Sequence, residues 1–136
     1  MRRTTALFMM ALVLLLTANL SFAQKSDMPK YDPAKEVTIK GVVDEVKEIR
    51  GANNEVRIHL MLKSGSDVQE ISLCPHTFLK ATEVDFAKGD QLEITGSKVK
   101  VDEKTVILAR EIVKGNNTLV LRDKAGSPVW TWLKKD

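Results

Sequence analysis

The sequence predicts an all-β domain, and three observations support this fold class. From Glu36 onward, short segments alternate apolar and polar residues with a period of two, as half-buried strands do. Gly, Asn, Ser and Asp separate these segments, which is typical of the turns between antiparallel strands. Between the strands, only residues 76–84 have the composition of a short helix. The pattern therefore predicts one β domain that contains a single helix.

The first residues of the 136-residue chain form a segment of a different kind. Two arginines follow Met1, residues 6–16 form an unbroken apolar run, and residues 21–23 have a small-x-small pattern. These are the three parts of a secretory signal peptide. An uncleaved membrane anchor is the alternative, but eleven apolar residues are few for a hydrocarbon core of roughly 30 Å. We expect cleavage after Ala23 and a periplasmic or secreted protein with no membrane anchor after cleavage.

The charge and the cysteine content of the exported part limit its function. The chain carries 21 Lys+Arg and 18 Asp+Glu, but Arg2 and Arg3 lie in the signal peptide, which leaves 19 basic against 18 acidic residues. A protein that binds nucleic acid by neutralising phosphates usually has a clear basic excess. Cys74 is the only cysteine, so no intramolecular disulfide can form. We therefore expect stability to come from the apolar core and a nucleic-acid ligand to be unlikely.

The first three strands follow a polar arm, residues 24–35, which contains two prolines and has no periodicity. In the first strand the apolar phase slips before Val46, and Gly41 is available for the bend. Residues 56–63 alternate cleanly and form the second strand. A four-residue hairpin loop, residues 64–67, leads into the third strand, residues 68–74.

The remaining elements begin after Pro75, which ends the third strand. Residues 76–84 form the helix, and the fourth strand shifts its apolar phase at Gly96, where a β-bulge is expected. Residues 105–114 contain a continuous apolar run that suits a strand covered on both faces. Residues 118–122 and 129–133 are predicted to form a C-terminal hairpin.

The order of these elements predicts the architecture. Three strands, a short helix and two further strands are the order of the oligonucleotide/oligosaccharide-binding (OB) barrel, whose helix lies between strands three and four. A long first strand with a glycine in its middle fits that barrel, because this strand must curl to pair with two neighbours. A small sandwich is the alternative, but it would not require one helix at that place. We expect a five-stranded OB barrel with a C-terminal hairpin over residues 36–136.

Several short segments of residues 36–132 form a recognisable pattern. They are Gly41-Val42-Val43, Cys74-Pro75, Gly89-Asp90, Thr95-Gly96-Ser97-Lys98-Val99, Ala109-Arg110-Glu111-Ile112, Leu121-Arg122-Asp123, Gly126 and Pro128-Val129-Trp130. With these segments the chain resembles a largely uncharacterised family of small exported bacterial OB-fold proteins. The resemblance implies a binding scaffold with no agreed activity and no catalytic residues. Cys74 departs from the family pattern, which usually has glycine there, and this departure raises the question of a thiol function.

The register of strands two and three predicts a ligand-binding face. If Lys63 lies opposite Val68, then Arg57 lies opposite Cys74, with His59 and Met61 on the same face. A cation beside a thiol lowers its pKa, so Arg57 could make Cys74 a reactive thiolate. On the last strand, Trp130 and Trp132 would share a face, with Trp132 the better exposed. The predicted ligand-binding residues are Arg57, His59, Met61, Cys74 and Trp132.

Two further functions stay open at this point. Cys74, His59 and His76 could offer one sulfur and two imidazoles to a metal, although their spacing matches no metal-binding motif and no fourth ligand is visible. Structural roles are the favoured interpretation: Cys74 fills a barrel corner, His76 starts the helix and His59 is a solvated strand residue. Single-stranded nucleic acid would need aromatic rings on strands two and three, and this surface carries none.

The preferred interpretation is a non-enzymatic binding module without a cofactor. No spacing in the sequence suggests paired catalytic carboxylates, a nucleophile elbow or a phosphate loop. We expect an exported OB-fold protein that binds a small molecule, glycan, peptide or protein partner in the cell envelope.

Overall fold

The computed structural model describes residues 29–51 and 54–133, with side chains up to residue 131. The predicted signal peptide, its cleavage site at Ala23 and residues 24–28 of the predicted arm lie outside the described residues. Within the described part of the chain, no helix is long and apolar enough to cross a bilayer.

Six strands and one α-helix make up the domain, together with two short 3-10 helices. The α-helix lies between the third and fourth strands, as the sequence predicts. The elements are a 3-10 turn at Pro33–Lys35, β1 Glu36–Arg50, β2 Val56–Ser64, β3 Asp67–Pro75, α1 His76–Thr82, β4 Gln91–Val101, β5 Lys104–Lys114, β6 Asn117–Val120 and a 3-10 helix at Val129–Leu133.

The six strands form one sheet that closes into a barrel. Their order is β3-β2-β1-β4-β5-β6, with antiparallel neighbours. A parallel pairing of β3 with β5 closes β1 to β5 into a ring, and β6 extends the sheet beyond β5. The long β1 strand pairs with β2 through its second half and with β4 through its first half. This is the OB topology, and the predicted fold class is confirmed.

The barrel curls at bulges in β1 and β4. In β1 the register shifts between Val43 and Glu45, within the stretch before Val46 where the apolar phase slips, and not at Gly41. Gly41 has a different role, since a Cβ there would lie 2.5 Å from the Lys63 carbonyl oxygen. In β4 the register shifts between Thr95 and Gly96, which confirms the predicted bulge.

The core fills the barrel interior with aliphatic side chains from all strands and from the helix. Four consecutive residues of β5, 106–109, are all buried, as expected for a strand covered on both faces. The fully buried large side chains are Val43, Leu60, Leu62, Ile71, Leu73, Cys74, Ile94, Ile107, Ile112 and Leu121.

The pairing of β2 with β3 differs from the prediction at one end. It follows the predicted register from the hairpin, a two-residue turn, up to His59 and Ser72. There the register shifts, so that Ile58 pairs with Cys74 and Arg57 with Pro75. The predicted pairing of Arg57 with Cys74 is therefore wrong. The reason is a β-bulge at the Ile58/His59 step, where one extra residue of β3 enters between two pairs.

The predicted last strand is also wrong, because residues 129–133 form a 3-10 helix. In the part of the chain that the structure describes, a single bridge, between Arg122 and Pro128, continues the pairing beyond β6. The Asp123 carboxylate accepts hydrogen bonds from the backbone N–H groups of Ala125 and Ser127, and these bonds hold a tight turn. Gly126 completes this turn at a φ of 97°, a backbone region that favours glycine.

Candidate functional site

Two adjoining cavities form one groove across the outer face of β2 and β3, and we call it the arginine groove. The larger cavity has a volume of about 820 Å³ and the smaller one about 440 Å³. Both are lined by Pro29, Arg57 and Arg122. The two guanidinium groups therefore lie where the cavities meet.

Several elements of the fold build the walls of the groove. The start of α1, the C-terminal turn and the 3-10 helix line the larger cavity, to which Phe78 and Trp130 contribute. The β4–β5 hairpin lines the smaller cavity together with His59 and Glu70. The segment that precedes β1 covers both cavities on one side.

That segment is anchored to the barrel by hydrogen bonds. The backbone N–H of Asp32 donates to Ser97 Oγ at 3.1 Å, and Ser97 Oγ donates to the Asp32 carbonyl at 2.9 Å. The Tyr31 hydroxyl donates to a Glu36 carboxylate oxygen, which also accepts from Arg110 Nε at 2.7 Å. These contacts hold the Tyr31 ring beside the groove.

Arg122 is the most buried charged residue of the groove, with 8% of its surface exposed. Its Nη1 group donates to the Gly126 carbonyl oxygen at 2.9 Å. Its Nε–H is buried and has no hydrogen-bond partner within the described residues. Burial lowers the pKa of Arg122, and the nearby charge of Arg57 lowers it further. The guanidinium therefore lies in a poorly solvated and electrostatically unfavourable position.

Aromatic rings surround the two guanidinium groups. The Arg122 guanidinium carbon lies 5.2 Å from the Trp130 ring centroid and 5.7 Å from that of Tyr31. The Arg57 guanidinium carbon lies 5.7 Å from the same Trp130 ring. Phe78 packs against Trp130 with ring centroids 6.1 Å apart. Cation–π attraction favours both arginines here, but the rings carry no charge to neutralise them.

A second polar cluster lies in the smaller cavity. His59 Nδ1 is 2.7 Å from a Glu70 carboxylate oxygen, and Lys104 Nζ is 3.1 Å from the other oxygen. Burial lowers the pKa of His59, which favours the neutral imidazole. Burial alone would raise the pKa of Glu70, but hydrogen bonds from His59 and Lys104 outweigh it and lower that pKa. Both lowered pKa values are consistent with a neutral His59 that donates a hydrogen bond to an ionised Glu70 at neutral pH.

The predicted site residues are only partly brought together. Arg57 and His59 line the groove, whereas Met61, which pairs with Glu70 further along β2, lines neither cavity. His76 begins α1, as its position after Pro75 suggested, and also lines neither cavity. The side chain of Trp132 lies outside the described part of the chain.

Cys74 lies in the core rather than on the predicted ligand face, and its surface is 0% exposed. Burial raises the pKa of its thiol to about 12, despite the nearby charges of Arg57 and Arg122. The predicted lowering of this pKa is therefore wrong, because desolvation outweighs the attraction of the two cations. Among the described residues, no three His, Cys, Asp or Glu side chains lie together as a metal site would require, so Cys74, His59 and His76 form no such group.

The sequence interpretation missed four residues of the groove. Tyr31 lies in the predicted arm, Phe78 in the predicted helix and Trp130 on the predicted last strand. No pattern in the sequence brings these residues or Arg122 together with Arg57. One signal was present, since Arg122 directly follows the apolar segment Leu119-Val120-Leu121 and precedes a turn sequence. Polar residues at such a position often have a specific contact to make.

The chain is similar to known proteins in sequence and in fold. Residues 35–119, which run from the start of β1 into β6, match the MamS/MamX magnetosome protein family. No curated protein sequence matches the chain. Among solved structures, the N-terminal domain of PriB from Thermoanaerobacter tencongensis is similar, with a TM-score of 0.50 and 15% identity over 62% of this chain and 99% of that one. Rim1, a mitochondrial single-stranded DNA binding protein of S. cerevisiae, has a TM-score of 0.49 and 17% identity over 65% of this chain and 99% of that one. The family match and the PriB likeness agree with the OB-fold family that the sequence resembles.

Proposed function

We propose that this chain, which belongs to the MamS/MamX magnetosome protein family, is an exported, non-enzymatic OB-fold binding module. Its ligand occupies the arginine groove. Cleavage after Ala23 would release the domain into the periplasm or the medium, in keeping with the signal-peptide pattern at the N-terminus.

The observation that carries this proposal is the position and size of the groove. OB folds bind their ligands on the face of strands two and three, between the loops that follow strands one and four. The groove lies on that face, with Glu55 beside the first loop and Asp102 in the second. Its larger cavity of about 820 Å³ is within the range of small-molecule sites.

The chemistry of the lining favours binding over catalysis. An arginine stays protonated at physiological pH and does not carry protons in a reaction. His59 is hydrogen-bonded to Glu70, which is itself bonded to Lys104, so these three side chains satisfy one another. The thiol of Cys74 is buried in the core. The groove therefore offers charge, hydrogen-bond donors and aromatic surface, which suit the binding of a ligand.

Single-stranded nucleic acid is a second candidate, favoured by one observation. Strands two and three carry no aromatic ring, but Tyr31, Phe78 and Trp130 bring rings to the groove from neighbouring segments. However, Phe78 and Trp130 also pack against the core, which leaves only part of each ring for a base. Nucleic-acid binding would fall steeply with added salt, whereas binding of a small ligand would change little.

A thermal-shift screen of small metabolites, sugars and short peptides tests the proposal. The protein is purified in the form that the cell accumulates, and mass spectrometry establishes whether it begins at Gln24. A compound present at 100 times its Kd should stabilise the fold by about 2.7 kcal/mol, which raises Tm by roughly 10 °C or more. Trp130→Leu should abolish this shift, because Trp130 forms part of the groove wall.

The matched control is Phe86→Leu. Phe86 also packs partly buried against the core, but it lines neither cavity. Equal ligand-induced shifts in the two variants would contradict a ligand in the groove. A mature protein that retains residues 1–23 would contradict export by signal cleavage.

A further inference from the structure

We propose that the arginine groove selects small ligands that carry a carboxylate or phosphate group, and that Arg57 and Arg122 together receive this anion. The inference rests on the proposed function, since it names the chemical class of the ligand in that groove.

The first observation is that Arg122 is buried without a counter-ion. Within the described residues, no carboxylate oxygen lies within the 4.0 Å ion-pair distance of its guanidinium nitrogens. One of its N–H groups is bonded to the Gly126 carbonyl, whereas Nε–H has no partner. A buried charged donor without a partner is costly. An anionic oxygen that enters the groove would supply the missing acceptor and the missing charge.

The second observation concerns Arg57, which is also left largely uncompensated. Among the described residues, its one carboxylate contact is with Glu55 at 3.9 Å, and 46% of the Glu55 side chain is exposed. An exposed ion pair at this distance is weak, because solvent screens it. Arg57 is also close enough to Arg122 to lower its pKa. The carboxylate of Glu70, in the smaller cavity, is already bonded to His59 and Lys104. The two guanidinium groups therefore share one groove in which Glu55, their one ion-pair partner among the described residues, is distant and solvated.

Arg110 shows how the same chain neutralises an arginine that supports the fold. Arg110 Nε lies 2.7 Å from a Glu36 oxygen, and a second nitrogen lies 3.5 Å from Glu111. The Arg110 side chain is 16% exposed, close to the 15% of Arg57. Two arginines of similar burial thus differ in their counter-ions, and the groove arginine is the one with the weaker partner.

The shape of the groove indicates what accompanies the anion. Guanidinium groups bind carboxylate and phosphate oxygens through paired N–H donors. The Trp130 ring lies beside both guanidinium groups, and Phe78 lies behind it. A ligand that joins an anionic group to a flat or apolar part would therefore contact charge and ring together. Carboxylates and phosphates share this chemistry, and the experiment separates them.

Amide NMR titrations of the ¹⁵N-labelled protein test the inference with four probes. Benzoate and phenyl phosphate carry the anion and a ring, benzamide is the neutral counterpart of benzoate, and inorganic phosphate lacks the ring. We expect benzoate or phenyl phosphate to shift amide signals of Arg57, Phe78 and the turn near Gly126. Benzamide should bind at least about tenfold more weakly, as expected when a charge-assisted hydrogen bond is lost.

The variants are chosen so that folding does not obscure the result. Arg57→Gln removes one cation and should weaken the binding of the anions about tenfold or more. Arg50→Gln is the matched control, because Arg50 is an exposed arginine that lines neither cavity. Arg122 is left intact, and its Nε–H signal is followed directly in the wild type. That signal should shift when an anion binds.

Each alternative outcome contradicts the inference in a recognisable way. If benzamide and benzoate bind equally at the groove and Arg57→Gln has no effect, the anion class is wrong while the groove remains a binding site. If the anions bind Arg57→Gln and Arg50→Gln with equal affinity and shift only amide signals outside the groove, neither the groove nor the anion class is supported. If oligothymidylate binds far more tightly than every probe and loses affinity steeply with salt, the ligand is single-stranded nucleic acid instead.

Discussion

Replacing Cys74 by serine should destabilise the barrel without affecting the arginine groove. Cys74 is 0% exposed and belongs to the aliphatic core. A serine hydroxyl at this position would be buried among apolar side chains, and a buried hydroxyl without a partner costs about 1–3 kcal/mol. Cys74→Ala removes the sulfur without adding a polar group, which costs about 1 kcal/mol for the lost burial. The serine variant should therefore be less stable than the alanine variant by about 1–3 kcal/mol.

Urea unfolding of the wild type and both variants measures this difference, provided that the m-value is unchanged. Thiol titration of the wild type gives a second readout. Because burial raises the pKa of Cys74 to about 12, the thiol stays protonated at pH 8, and the thiolate is the reactive form. The thiol should react with a disulfide reagent only after urea unfolds the protein. Serine and alanine variants of equal stability, or a native thiol that reacts as fast as the unfolded one, would refute this reasoning and favour a thiol function.

Two further predictions concern packing and pH. Gly96→Ala should destabilise the fold by about 1–3 kcal/mol, because the added Cβ would overlap the Leu108 carbonyl oxygen. In the control Gly51→Ala, the atom nearest to the added Cβ is 3.8 Å away. An equal loss of stability in both variants would argue against the close contact at Gly96. Acid should destabilise the protein in two steps. The first lies below about pH 6.5, because burial lowers the pKa of His59 in the folded state and the unfolded state therefore binds more protons. The second lies below about pH 4.3, because the hydrogen bond from Arg110 lowers the pKa of Glu36 and is lost when Glu36 is protonated. Urea midpoints from pH 7.5 to 3.5 should lose the first step in His59→Gln and weaken the second in Glu36→Gln; unchanged profiles would contradict the assignment.

The sequence predicted most of the fold because the barrel depends on local patterns. The alternation in residues 56–63 determines which face of β2 is buried, and Gly96 marked the bulge in β4 correctly. The helix was placed between the third and fourth strands, although it ends at Thr82, before the left-handed Glu83. The errors arose where a single residue changes the periodicity. The bulge beside Ile58 made the predicted pairing of Arg57 wrong, and the predicted last strand after the turn at Gly126 is a 3-10 helix.

The candidate site was less accessible to sequence reasoning than the fold. Arg57 and His59 were identified because they share a strand face, which a period of two reveals. The sequence also predicted Cys74 on that face, but the bulge shifts the register by one residue and the Cys74 side chain points into the core. Arg122, Tyr31 and Trp130 could not be grouped with Arg57, because they come from segments far apart in the chain.

The sequence by itself determined the β architecture, the position of the helix and one half of the groove, because alternation and turn residues act over a few positions. Only the tertiary structure decided that two arginines meet beside Trp130 with one weak carboxylate partner. The physical reason is that pairing and burial of a charge depend on every element that packs around it. Strand periodicity reports the face on which a side chain lies, but it does not report which charges from other segments reach the same place.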